Sequence, residues 1–111
     1  MSVIERQLKL DVGGDKSITV PVRIFSPYLD GGSWFCKWEI QWPDRLFSID
    51  AGGVDAVQAL LHAMQMVGAA LYCSEEHKSG HLSWTEGHKG YGFPVTNSIR
   101  DLLEGDDAEF L

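Results

Sequence analysis

Three histidines, His77, His81 and His88, fall close together and are interspersed with Glu75, Glu76 and Glu86. Imidazole and carboxylate are ligands that zinc takes, so this is the stretch that invites a metal. The spacing H-x3-H-x6-H matches no metal signature, and Gly80 weakens any helix that would put His77 and His81 on one face. No metal and no cofactor is therefore assigned, and the three read as loop histidines in water. The fourth, His62, shares a polar helical stripe with Asp55, Gln58 and Gln65. Asp55 is seven residues away, about 10.5 Å of helical rise, too far to share a proton or an ion directly. Neither Cys36 nor Cys73 has a histidine beside it in the sequence to lower a thiol pKa. The glycine pair between Ile49 and Asp55 looks like a phosphate loop, but it lacks spaced glycines and the Lys-Ser/Thr pair. Asp55 also puts negative charge where the phosphate would sit, so a tight turn is expected. No G-x-S-x-G, H-E-x-x-H or paired-carboxylate motif occurs, and no catalytic residue is assigned.

The elements that position these groups follow from periodicity. Residues 3–12 and 17–25 alternate apolar and polar around the turn Gly13-Gly14-Asp15-Lys16, with Arg6 the exception on the apolar side of the first strand. Pro21 cannot donate to a ladder, which predicts an edge strand or a bulge. The stretch Pro27 to Gly32 reads as a connection. Ser33 to Trp42 is a third strand, with Trp34, Cys36, Trp38, Ile40 and Trp42 on one face, a core layer under a helix. Leu46 to Ala51 is a fourth.

Val54 to Tyr72 is the one long helical pattern. Val57, Leu60, Leu61, Met64, Val67 and Leu71 form a bulky stripe expected to lie on the sheet. Ala56, Ala59, Ala63 and Ala70 form a small flank that lets a second backbone approach, either the C-terminal segment or another subunit. Ala59 and Ala63 are thus the candidate homodimer interface. The polar stripe argues against a span in lipid. Beyond the helix, His81–Trp84 and Tyr91–Phe93 suggest a short hairpin, Ile99–Leu103 a last short helix, and 104–111 a frayed acidic tail. The expectation is one α+β domain over residues 1–111: a four-stranded, mostly antiparallel meander packed on one long helix, then a short hairpin and a short C-terminal helix.

Composition narrows the partners. The 111 residues are 44% hydrophobic and 23% charged, values of an ordinary globular domain, with a net charge of −7. Such a surface does not suit nucleic acid, which needs basic groups, but it does suit a basic protein. Two cysteines are fewer than a small secreted fold usually carries, and the alternating N-terminus has no signal layout, so reduced thiols in the cytoplasm are expected.

Two segments carry a resemblance. Trp34, Cys36, Trp38 and Ile40 on a strand, then Gly53, Asp55, Ala56, Val57, Gln58, Ala59 and Leu60 opening a helix, with Gly92-Phe93-Pro94 near the end, resemble a family of small bacterial domains of unknown function. That family has a W-x-C-x-aromatic-x-I strand, a G-x-D-[AS]-[VL]-Q-A-L helix and a late Gly-Phe-Pro. The resemblance implies a small, bacterial, cytoplasmic protein and assigns no site residues.

Small size, acidity and the lack of a catalytic motif point to a non-enzymatic interaction module, binding a basic protein in the manner of an immunity or antitoxin protein, or forming a homodimer. The competing expectation is a small-molecule-binding or enzymatic domain. Its pocket would lie between the helix's polar face and the 75–94 loop, lined by His62, His81, Trp84, His88 and Tyr91, with glycines 80, 87, 90 and 92 lending that loop the mobility of a lid.

Overall fold

The computed structural model describes residues 2–111, with side chains from Ile4 onward. It is an α+β fold built on one antiparallel sheet. Strand β1 (Ser2–Gly13) turns at Gly14-Asp15 into β2 (Lys16–Phe25), which is followed by β3 (Tyr28–Asp30), β4 (Ser33–Trp42) and β5 (Arg45–Gly53). Helix α1 (Ala56–Tyr72), the four-residue α2 (Glu75–Lys78) and strand β6 (Leu82–Ser83) come next. A 3-10 segment, Asn97–Leu102, and helix α3 (Gly105–Phe110) close the chain.

The meander expected from the alternation is present, with six strands among the described residues rather than four. One addition is β3. It continues the line of β2 past Ser26-Pro27, so that β4 carries β2 at Trp38–Ile40 and β3 at Ser33–Phe35 on one side, and β5 on the other. Pro21 is not on an edge strand. It sits one residue before the β2–β4 ladder begins at Val22, where a missing N–H removes no bond to β4. The other addition is β6, which pairs with Lys9 and Leu10 of β1 rather than with residues 91–93.

Helix α1 begins where the glycine pair predicts. Asp55 is its N-cap: its carboxylate accepts from the Gln58 N–H at 2.8 Å, while the Gln58 side chain accepts from the Val54 N–H at 2.7 Å. Two orphan donors are satisfied reciprocally. The face it buries is the small flank together with one side of the bulky stripe, Val67 and Leu71, with Leu60 and Met64 packed partly buried against the core. Ala59, Ala63, Val67 and Leu71 are fully buried, whereas Val57 and Leu61 are 73% and 45% exposed. The reason is volume. Trp38 and Trp42 are buried in the sheet beneath and Trp34 packs partly buried against the same core, so close packing is reached by laying the small flank of the helix on the large side chains of the strand. Ala59 and Ala63 are therefore core positions, which corrects their reading as a subunit interface. The second backbone does approach, but at Gly68: a Cβ there would lie 2.1 Å from the Pro94 carbonyl oxygen, where the chain crosses the helix.

The opposite face of the sheet is polar. Arg23 on β2 bridges Glu5 on β1 at 2.7 Å and Glu39 on β4 at 2.9 Å, an ion ladder across three strands. Among the described residues, no helix is long and apolar enough to cross a membrane.

Candidate functional site

The acidic tail is not frayed. Asp107, on α3, is 1% exposed, and its carboxylate accepts from the Tyr72 hydroxyl (2.5 Å), the Tyr91 and Gly92 backbone N–H groups (2.7 and 2.9 Å) and His88 Nε2 (3.0 Å). Burial by itself raises a carboxyl pKa and is the largest influence here, but these four hydrogen bonds together outweigh it and hold Asp107 below its ordinary value. The expected hairpin fails for the same reason. The N–H groups of Tyr91 and Gly92 go to Asp107, and their carbonyls accept from Arg6 Nη1 at 3.0 Å each, leaving nothing for a strand partner. The Arg6 guanidinium also lies 4.0 Å over the Trp84 ring and 4.7 Å from that of Phe93. Burial lowers its pKa and the charge of Asp107 opposes that. Gly90 and Gly92 are required by the packing around this centre. Both have positive φ, and a Cβ on either would lie within 2.6 Å of the Asp107 carboxylate or of Arg6 and Trp84.

A second polar chain adjoins this one. The Tyr91 hydroxyl hydrogen-bonds His77 Nδ1, and His77 Nε2 stands 2.7 Å from Glu104 Oε2. Burial, followed by the charges of Glu104 and Asp107, pushes Tyr91 up. Burial and the hydrogen bond to Asp107 do the same to Tyr72. Both phenols stay protonated, and the Tyr91 hydroxyl also points to the Leu82 carbonyl at 3.5 Å. An open cleft of about 660 Å³ borders the chain, lined by Tyr72, His77, Lys78, Leu82, Tyr91 and Glu104 among others.

The residues expected to share a pocket divide three ways. Trp84, His88 and Tyr91 do converge, with the Trp84 and His88 rings 4.7 Å apart and Tyr91 on the same carboxylate as His88. His81 lies apart on the surface beside Ser79. His62 is on the far side of α1, where its Nδ1 meets the Gly52 carbonyl at 2.8 Å. Sequence reasoning missed Tyr72, Glu104 and Asp107, and it took His77, which it did single out, for a loop histidine in water. One signal pointed to them: Arg6, a charge on the apolar face of β1, needs a buried acceptor. Among the described residues no cluster of three or more metal-ligating side chains occurs. Cys36 and Cys73 are free thiols, and burial, then the charge of Asp50, raises that of Cys36.

The His62 contact leads to the molecule's other distinctive feature. Among the described residues, β5 pairs with β4 alone, from Trp34–Gly53 to Trp42–Arg45 without a bulge. The two-residue turn Pro43-Asp44 makes Trp42 and Arg45 a hydrogen-bonded pair, and the pairs alternate from there. The backbone groups of Leu46, Ser48, Asp50 and Gly52 consequently face away from β4. His62 takes the Gly52 carbonyl; Leu46, Ser48 and Asp50 face outward as a row. Leu46 and Phe47 are 54% and 42% exposed. Two open hollows of about 230 Å³ each run between β5 and α1, one bounded by Gly52, His62, Met66 and Ala69, the other by Trp42, Phe47 and Ala70.

A family model described as a domain of unknown function, DUF6968, matches residues 4–95. The chain belongs to that family. The DUF6968 match takes in the sheet, α1, His77 and Tyr91, and ends before Glu104 and Asp107. No curated protein and no solved structure matches the chain.

Proposed function

We propose that this domain is a non-enzymatic protein-interaction module and that its binding element is the outer edge of β5 with the adjoining side of α1. One observation carries the reading: Leu46, Ser48 and Asp50 present an unbulged row of outward backbone groups beside exposed Leu46 and Phe47. Such an edge is a template for another strand, and proteins commonly blunt it with charge, proline or a bulge. The polar centre supports the same reading from the other side. Its tyrosines are held protonated and its carboxylate is saturated by hydrogen bonds that fix α3 in place, an arrangement that holds rather than reacts.

The test is a photo-crosslinking side chain at position 46 in the source cell, with position 9 on β1 as control. The reading predicts a discrete protein adduct from position 46 and none from position 9. Equal or absent labelling at both would refute it. A basic partner of the immunity or antitoxin kind, suited to the net charge of −7, would give an adduct whose peptides include a second protein, whereas a second copy would give peptides of this chain alone.

A second reading, ligand binding, is favoured by the cleft beside His77, where Lys78 and Glu104 offer opposite charges to a small polar molecule. A ligand found by thermal-shift screening should lose affinity in Glu104→Gln; unchanged affinity removes the cleft from consideration.

A further inference from the structure

We infer that the occupant of the β5 edge is a second copy of this chain, paired antiparallel about a two-fold axis through Ser48. This rests on the reading of β5 as the binding element and names its partner.

A two-fold axis normal to the sheet keeps both α1 helices on one side, so it joins residues whose numbers sum to an even value. Centred on Ser48, it places Leu46 opposite the partner's Asp50, Ser48 opposite the partner's Ser48, and Phe47 opposite the partner's Ile49. The residues that must exchange backbone hydrogen bonds are then Leu46, Ser48 and Asp50, the three whose groups face outward. Six bonds form, and His62 keeps its hold on the Gly52 carbonyl. A register centred on Phe47 would leave Asp50 unused, and one centred on Ile49 would compete with His62. The chosen register also makes Phe47 and the partner's Ile49 a non-hydrogen-bonded pair, in which side chains stand closest, and an aromatic facing a β-branched residue is a favourable combination there.

Charge selects the same partner. From Leu46 to Gly53 Asp50 is the lone charged residue, whereas β1 carries Glu5, Arg6, Lys9 and Asp11. A basic protein drawn by the net charge would find little to hold on β5; a strand equally poor in charge is the complement, and this chain supplies one. The hollows flanking β5 let the two α1 helices approach over Met66, Ala69 and Ala70.

The experiment measures the mass of the intact chain in solution across concentration and salt, with three variants. Ser48→Pro removes the central outward donor without touching the β4–β5 ladder. Leu46→Asp sets a carboxylate opposite the partner's Asp50, and Leu46→Lys an ammonium. Leu46 is largely exposed, so the last two leave folding intact. The expected result is a dimer tightened by salt, retained in Leu46→Lys, weakened about tenfold in Leu46→Asp across the two symmetric contacts, and lost in Ser48→Pro. A chain monomeric at every concentration overturns the second copy while leaving the interaction module standing, if position 46 still crosslinks to another protein. A dimer indifferent to all three variants overturns the placement on β5 itself.

Discussion

Around Asp107 the chain has spent its hydrogen-bonding capacity on itself, whereas along the outer side of β5 it has left that capacity facing out. The carboxylate of Asp107 accepts four hydrogen bonds in a buried site, and Arg6 takes up the neighbouring carbonyls. The groups of Leu46, Ser48 and Asp50 face away from their one partner strand. A polar cluster of tyrosine, histidine and carboxylate looks more like function than a bare strand edge does. The difference teaches that side-chain type is a poor guide to what a site does until its bonds are counted. A satisfied cluster holds the fold together, and an unsatisfied backbone row invites a partner.

The largest effect should come from breaking the satisfied side. Asp107→Ala strands the Tyr72 hydroxyl and two buried N–H groups and leaves Arg6 without its counter-charge, a loss of about 3–5 kcal/mol. Chemical denaturation should show it, and α3 should become protease-sensitive. If instead the variant is as stable as the parent, the cluster is not what fixes the C-terminal segment. Next, Leu71→Ala, at a fully buried position, should cost about 2–5 kcal/mol. Gly68→Ala follows: its new Cβ meets the Pro94 carbonyl, and a loss of about 1–3 kcal/mol should exceed the helix-propensity gain. A stabilised Gly68→Ala would mean the segment that crosses the helix at Pro94 is free to shift. Leu61→Ala, on the exposed side of the same helix, should stay within about 1 kcal/mol. The contrast between Leu71 and Leu61 reads out directly which face of α1 is the core.

Acid sharpens the comparison further. Because the folded pKa of Asp107 is depressed, its contribution is fully present above the unfolded value of about 3.9 and is lost as pH falls through the folded one. Asp107→Asn should flatten that part of the acid limb. Glu76, lowered by its hydrogen bond from Arg45, and Glu5, lowered by those from Gln7 and Arg23, keep the remainder. An unchanged slope in Asp107→Asn would contradict the depressed pKa.

Much of the scaffold was legible. Alternation located β1, β2, β4 and β5, and the 3.6-residue period located α1 with its Gly-Gly entry, because long periodic stretches bury one face. Strand β3 and helices α2 and α3 are too short for a period to show. For a different reason the helix face was read only in part, with Val67 and Leu71 of the bulky stripe buried and Val57 and Leu61 not. Periodicity finds a stripe, but which side turns inward depends on how much volume the sheet already fills, and Trp38 and Trp42 fill it. The polar centre was illegible because Asp107 meets Tyr72 from 35 residues away and Gly92 from 15. Trp84, His88 and Tyr91 were named from composition alone, and of the sequence features only Arg6 marked the buried acceptor. The β5 edge needed the strand order, which no pattern within one strand reports.

One measurement tests the account most directly: residue-resolved amide hydrogen exchange on the native protein, from dilute to concentrated solution. The account predicts that the Tyr91 and Gly92 amides, bonded to Asp107, are protected throughout. The Leu46, Ser48 and Asp50 amides should exchange freely when dilute and become protected as the chain meets its partner. Edge amides that stay open at every concentration, and in the presence of any protein crosslinked from position 46, would contradict it.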